Sequence, residues 1–323
     1  MSQARQATQS LGRSETAWNL APAGLRWAAD AAHKLVLPGR QRMASALASL
    51  RGTSASPIVS DATPEPCVGS GEVFDTPSQR PIIFIHIPKT AGTAFSHYLK
   101  ENCGNSEKVV EAFYGDYSIY DGVEDAPVIL GHTIYREMAA RFPAGSFVTW
   151  LRHPVDRVIS QYKSWHNPRN LHAHWKDHAG GRDFQHIYFT QNASFDEFAM
   201  SEDLRLLSNI VNAQTGILSS LGSGHSRRQI LESAKENLER RFKFFGIVER
   251  FGESMKLFQN TFEWRAEFKD DDATANRCVK HEIRPSEQAI ARIMQRNDLD
   301  LELHEFACEL FERRLGRVRT IAA

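Results

Sequence analysis

A lysine, two threonines and a glycine stand together where an apolar run stops, in "FIHIPKTAGT" over residues 84–93. Side chains of these types at this spacing suit the holding of an oxyanion. Lys89 supplies a full positive charge, and the hydroxyls of Thr90 and Thr93 can donate to phosphate oxygens. Gly92 lets the main chain come close without a Cβ in the way. If the residues through Ile87 are a strand and those after Ala91 open a helix, the N–H groups of the loop and first turn point outward. The helix dipole then adds partial positive charge. The nucleoside-triphosphate loop, G-x-x-x-x-G-K-[ST], is a different device, because its lysine follows the glycines whereas Lys89 precedes Gly92.

Such a cradle needs a strand behind it and a helix in front, and the flanking pattern supplies both. "PIIFIHI" is a short apolar run ended by proline, and "GTAFSHYLKENCG" carries Phe95, Tyr98 and Leu99 at helical spacing before Gly104. His86 alternates with Ile85 and Ile87 along the strand and reads as structural. "APVILGH", "SFVTWLRHP" and "KFFGIVE" are further strands. "REMAARFPAG", "VDRVISQYKSW" with Pro154 in its first turn, "RRQILESAKENLERRF" and "ESMKLFQNTF" are helices. A polar loop over 266–282 follows, then a helical end with Leu303, Phe306, Ala307, Leu310 and Phe311 on one stripe. Alternation of strand and helix predicts an α/β domain around a mostly parallel sheet.

Composition sets the bounds. A chain of 323 residues that is 41% hydrophobic can bury one sizeable core. Its 39 basic and 39 acidic residues make no global field to attract nucleic acid, so an anion site must be local. Cys67, Cys103, Cys278 and Cys308 form no C-x-x-C pair, which suits reduced thiols rather than zinc or a disulfide scaffold. No stretch has the ~18 uninterrupted apolar residues of a membrane span. Residues 1–80 read as a poorly ordered basic extension and Ser/Pro/Gly-rich linker, with residues 81–323 as the catalytic domain. Arg5, Arg13, Arg26, Lys34, Arg40, Arg42 and Arg51 face only Glu15 and Asp30 in its first part, a bias open to peripheral membrane contact.

With these elements in place, "IHIPKTAGTAF" resembles the 5′-phosphosulfate loop of sulfotransferases that use 3′-phosphoadenosine 5′-phosphosulfate (PAPS). The nearest likeness is to the carbohydrate group typified by heparan-sulfate and uronyl 2-O-sulfotransferases and their bacterial relatives. That family places an arginine at a strand end and a serine eight residues later, both binding the nucleotide's 3′-phosphate; "WLRHPVDRVISQY" offers Arg152 and Ser160 at that spacing. The implied fold is α/β, a P-loop-kinase-like three-layer domain with a central sheet flanked by helices and a helical C-terminus. The implied function is in-line transfer of a sulfuryl group from PAPS to a carbohydrate hydroxyl, releasing adenosine 3′,5′-bisphosphate. By resemblance Lys89, Thr90, Ala91, Gly92, Thr93, Arg152 and Ser160 bind the nucleotide, and Lys89 stabilises charge on the leaving phosphate without need of a metal. The general base matches His132 in "VILGHTIY", with Glu101, Glu111 and Glu137 as fallbacks. A late "N-[KR]-T" loop is matched by Asn276 and Arg277, although Cys278 stands where threonine is usual.

Two other readings stay open: a phosphoryl-transfer enzyme on the same kind of cradle, for which magnesium ligands and a Walker lysine are missing, and a nucleotide-binding protein without turnover. Apart from His174 and His178, which sit four apart, the run His166, His172, His174, His178 and His186 lacks metal-ligand spacing and, with Trp175, suits an acceptor-facing insertion. "Asn192-Ala193-Ser194" fits a glycosylation acceptor but reads as a helix-start loop. The expected partner is a saccharide or other hydroxyl-bearing acceptor, and the expected setting a bacterial cytoplasm.

Overall fold

Four consecutive apolar residues, Ile82–Ile85, form β1, and all four are buried, as a strand covered on both faces requires. The computed structural model describes residues 81–103, 108–112, 120, 122–123, 126–167, 185–264, 266, 268 and 283–322. After β1 come α1 (Gly92–Asn102), β2 (Val110–Ala112), β3 (Val128–Gly131), α2 (Tyr135–Arg141), β4 (Ser146–Leu151) and α3 (Pro154–His166). Four short helices follow, α4 (Gln185–Asn192), α5 (Phe195–Met200), α6 (Leu204–Ile210) and α7 (Ala213–Leu218). The chain then runs through α8 (Arg227–Arg240), β5 (Phe242–Ile247), a 3₁₀ turn (Val248–Arg250), α9 (Phe251–Phe262), α10 (Glu287–Arg296) and α11 (Asp298–Ala322).

The five strands make one sheet in the order β2-β3-β1-β4-β5, and every pairing in it is parallel. The predicted α/β architecture with a helical C-terminus is therefore what the chain adopts. Each predicted strand is present; β2 was not foreseen, because three residues, Val-Glu-Ala, are too short to show a period. Helices α4–α7 were missed for a related reason, since breaks at Ser194, Asp203 and Asn212 keep each below the length at which periodicity speaks. Ser194 turns out to be the N-cap of α5 in a capping box with Glu197, which matches the helix-start reading of "Asn192-Ala193-Ser194".

Two apolar clusters hold this together. The larger joins the sheet to α1, α2, α8, α9 and α11, with Phe84, Phe95, Trp150, Phe245, Phe258 and Phe311 fully buried. The smaller packs α3 against α4–α6 and α10 through Val158, Trp165, Phe198, Leu206 and Ile293. Helix α3 belongs to the smaller cluster through Val155, Val158, Tyr162 and Trp165, and its start, directly after β4, lies at the C-terminal edge of the sheet.

Candidate active site

The strand order places a crevice where an anion site is expected. From β1 the chain leaves toward β2 on one side, and from β4 it leaves toward β5 on the other, although β1 and β4 are neighbours. Connections that diverge from adjacent parallel strands open a cleft beyond their C-terminal ends. Register makes the ends of β1 and β3 level, with Ile85 opposite Gly131, while β4 runs two residues beyond Thr149, the partner of Ile85. Three predicted residues thus emerge along one edge: His132 directly after β3, Lys89 in the loop after β1, and Arg152 directly after β4.

The loop after β1 is built with two non-glycine residues in the left-handed region, Lys89 at φ 72° and Ala91 at φ 60°. Each such residue costs of order 1–3 kcal/mol and persists only where its surroundings enforce it. Thr90 lies between them, fully buried, and its Oγ1 donates to the carbonyl of Ile87 at 2.8 Å. Here the geometry corrects the expectation that this hydroxyl donates to phosphate. A hydroxyl has one proton to give, and in Thr90 it braces the turn. Thr93, by contrast, is exposed on the first turn of α1.

Gly92 is demanded by a neighbouring ring as well as by open space for an anion. A Cβ built there would lie 1.8 Å from Nε2 of His86, far inside contact distance. Replacing Gly92 by alanine should force the His86 ring out of place, destabilising the protein by about 1–3 kcal/mol as overpacked sites do and lowering turnover. Thermal denaturation of G92A beside the H86A/G92A double variant checks this, because trimming the ring should restore most of the lost stability.

His86 and His132 form the second half of the site. Their rings stack with centroids 4.1 Å apart, and Nδ1 of His132 lies 2.9 Å from the main-chain oxygen of His86. A carbonyl only accepts, so Nδ1 carries a proton, and in the neutral ring the lone pair is then on Nε2. The His86 carbonyl, just beyond β1, therefore selects the tautomer that a general base needs. Burial, then His132, then the charge of Lys89 hold the His86 pKa well below the ordinary imidazole range. His86 is neutral at pH 7, a packing and orienting residue as the sequence suggested.

Arg152 closes the crevice from the β4 side. Its Nη1 donates to the carbonyl of Lys89 at 3.4 Å, and its buried Nε has no hydrogen-bond partner among the described residues. A guanidinium with an unspent donor beside a lysine loop suits a phosphate-bearing ligand. Ser160 is half-buried on the second turn of α3, on the helix that Arg152 leads into. The neighbouring N–H of His153 donates to Oε1 of Glu249 at 2.8 Å, fastening the end of β4 to the turn after β5. His304 faces the other oxygen of Glu249 at 3.4 Å. Burial alone would lower the His304 pKa, but hydrogen bonds with Cys308 and Glu249 outweigh it and push it up to about 9.

Of the fallback bases, Glu111 lies on β2 paired with Lys100, Glu101 contacts His97 at 3.4 Å, and Glu137 contacts Arg136 at 3.3 Å. None of the three is a residue that ends a strand at the crevice. Asn276 and Arg277 lie outside the described residues, as do His172, His174, Trp175 and His178. Among the residues missed by sequence reasoning is Gln214, whose side chain holds the main chain of Arg152. Its signal was a run of polar types, Asn212, Gln214 and Thr215, inside the otherwise apolar "NIVNAQTGIL".

A parallel sheet flanked by helices, with a lysine-bearing loop and helix start at its switch point, is the architecture of the P-loop-like α/β class. Within that class the sequence singles out one branch: the profile of the sulfotransferase family matches residues 73–307, and the chain belongs to that family. It is an enzyme of sulfuryl transfer, as the paired motifs implied. Similar proteins include heparan-sulfate 6-O-sulfotransferase 1 of Homo sapiens, 28% identical over 285 residues that cover 75% of this chain and 68% of the relative. The same enzyme of Cricetulus griseus is 26% identical, with 75% and 69% covered. Heparan-sulfate 6-O-sulfotransferase 2 of Gallus gallus is 27% identical over 282 residues, with 74% and 68% covered. The family-level resemblance holds, while the 2-O group is not what these comparisons specify. Among the described residues no helix is long and apolar enough to cross a membrane. These relatives come from vertebrates and lend no support to a bacterial or cytoplasmic setting; the basic extension and linker over 1–80, with its suggested membrane contact, lies outside the described residues.

Proposed function

We propose that the protein transfers a sulfuryl group from PAPS to a hydroxyl of a saccharide, with heparan-sulfate-like chains as the first acceptors to try because the relatives are named for that polymer. The observation that carries this reading is the convergence of His132, Lys89 and Arg152 from three adjacent strand ends on one crevice. When bound, PAPS supplies the activated sulfuryl group and a bisphosphate leaving group. Lys89 offsets negative charge growing on the leaving oxygen, the kind of preorganised contact worth about 10²–10³ in rate. Nε2 of His132 takes the acceptor's proton, while its Nδ1–H stays on the His86 carbonyl and keeps the ring aimed. Main-chain N–H groups of Ala91, Gly92 and Thr93, with the Thr93 hydroxyl, face the 5′ side. Arg152 and Ser160 hold the 3′-phosphate, and Asn276 and Arg277 belong to a loop that covers the nucleotide.

Calorimetric titration with adenosine 3′,5′-bisphosphate, alongside ATP with magnesium, is the direct test. Micromolar binding of the bisphosphate and little of ATP is expected; tight ATP with no bisphosphate binding would replace this reading with phosphoryl transfer. In the same assay Arg152→Ala should weaken bisphosphate binding by about 1.5–3 kcal/mol, the worth of a charged hydrogen bond. Transfer of labelled sulfate from PAPS to a panel of desulfated saccharides then identifies the acceptor.

A further inference from the structure

We infer that Gln214, held in turn by Asp300, is a positioning residue that sets the arginine of the crevice for the nucleotide's 3′-phosphate. This rests on the reading of Arg152 given above. Pairing of β4 with β5 ends at Leu151 opposite Ile247, so Arg152 is the first residue beyond the ladder. Its main chain is met by one side-chain amide instead. Oε1 of Gln214 accepts from the Arg152 N–H at 3.0 Å, and Nε2 donates to the Arg152 carbonyl at 2.8 Å. A single amide thus occupies both main-chain groups of one residue, as a paired strand would, and extends order one residue past the sheet. The guanidinium then starts from a fixed main chain on its way to the Lys89 carbonyl.

Gln214 is itself fixed from behind. It is fully buried, and so are Thr215 and Asp300. The Asp300 carboxylate accepts from the N–H of Gln214 at 3.1 Å, from the N–H of Thr215 at 2.8 Å and from the Thr215 hydroxyl at 2.7 Å. Asn212 ties the same two segments together: its Oδ1 accepts from the N–H groups of Leu299 and Asp300 at 3.0 Å each, and its own N–H donates to Asn297 at 2.9 Å. Fully buried Arg157 donates to the carbonyls of Asn209 and Ile210 at the end of α6, locking α3 against the segment that delivers Gln214. The start of α11, some 150 residues downstream of Arg152, thereby reaches the crevice through one side chain. A buried carboxylate is costly unless paired; here one of its three hydrogen bonds ends on Gln214, the residue that aims the arginine, and two end on Thr215, while its charge acts on buried Arg157.

The test compares two ligands that differ only in the 3′-phosphate, adenosine 3′,5′-bisphosphate and adenosine 5′-monophosphate. Wild type should prefer the bisphosphate, and Arg152→Ala should erase the preference. Gln214→Leu, which keeps volume and removes both hydrogen bonds, should cut bisphosphate affinity about tenfold and leave monophosphate affinity unchanged, with the ligand-free melting temperature recorded as a check on folding. Gln214→Glu, which keeps the acceptor but loses the donor to the Arg152 carbonyl, provides a second variant with the same expected direction. Equal losses for both ligands would mean a general structural role and overturn the inference. So would an unchanged preference in the Gln214 variants while Arg152→Ala abolishes it. Absence of any preference in wild type would instead remove the assignment of Arg152, and this inference with it.

Discussion

Lys89→Ala is expected to lower kcat by about 10²–10³-fold, the usual cost of removing one preorganised donor from developing charge, while adenosine 3′,5′-bisphosphate still binds. The separation of the two effects follows from where the lysine makes its contacts. Its main-chain carbonyl, not its side chain, accepts from Arg152, so truncation leaves the bridge across the crevice in place. Alanine also tolerates the left-handed φ of 72° about as well as lysine does, so the loop keeps its shape. Single-turnover sulfate transfer measured beside bisphosphate titration gives the answer. Undiminished turnover would remove Lys89 from the chemistry. Since the lysine's charge is the third cause, after burial and His132, that holds down the His86 pKa, the variant should also let that pKa rise.

His132→Asn should cost about 10²–10⁴ in kcat, the range for a positioned general base, with nucleotide affinity unchanged. Asparagine is the informative replacement because its amide N–H₂ can still donate to the His86 carbonyl, where Nδ1 now lies 2.9 Å away. The strand-end hydrogen bond is kept and only the lone pair of Nε2 is lost. In wild type kcat should fall as acid protonates the base, and in the variant that acid limb should vanish. A variant that lost rate but kept the same pH profile would assign the base to another group. Full activity would reduce His132 to packing.

The chemistry of this fold was legible because its parts are contiguous in sequence. The loop Pro88–Thr93 carries its charge, hydroxyls and glycine within six residues, and Arg152 and Ser160 share one strand–helix junction. What stayed hidden are contacts between segments far apart in the chain. Nothing in "VNAQTGIL" says that its glutamine closes on Arg152, 62 residues earlier, or that Asp300 stands behind it. Thr90 was misread for a subtler reason, as a hydroxyl next to a cradle looks available until the turn that consumes its proton is built. Short helices between Gln185 and Leu218 were hidden by length alone.

The contact between Gly92 and the ring of His86 binds the histories of two positions. A Cβ at 92 and an imidazole at 86 cannot share the same space, so position 92 can change freely only after position 86 has. A lineage that first exchanges the histidine for a small residue loses the main-chain-oriented stack on His132 but is then free to accept alanine in the loop. A lineage that first loses the glycine must pass through a crippled intermediate. Substitutions at 86 and 92 should therefore appear in that order and together, and the pair serves as a marker of which descendants have kept this arrangement of the two histidines.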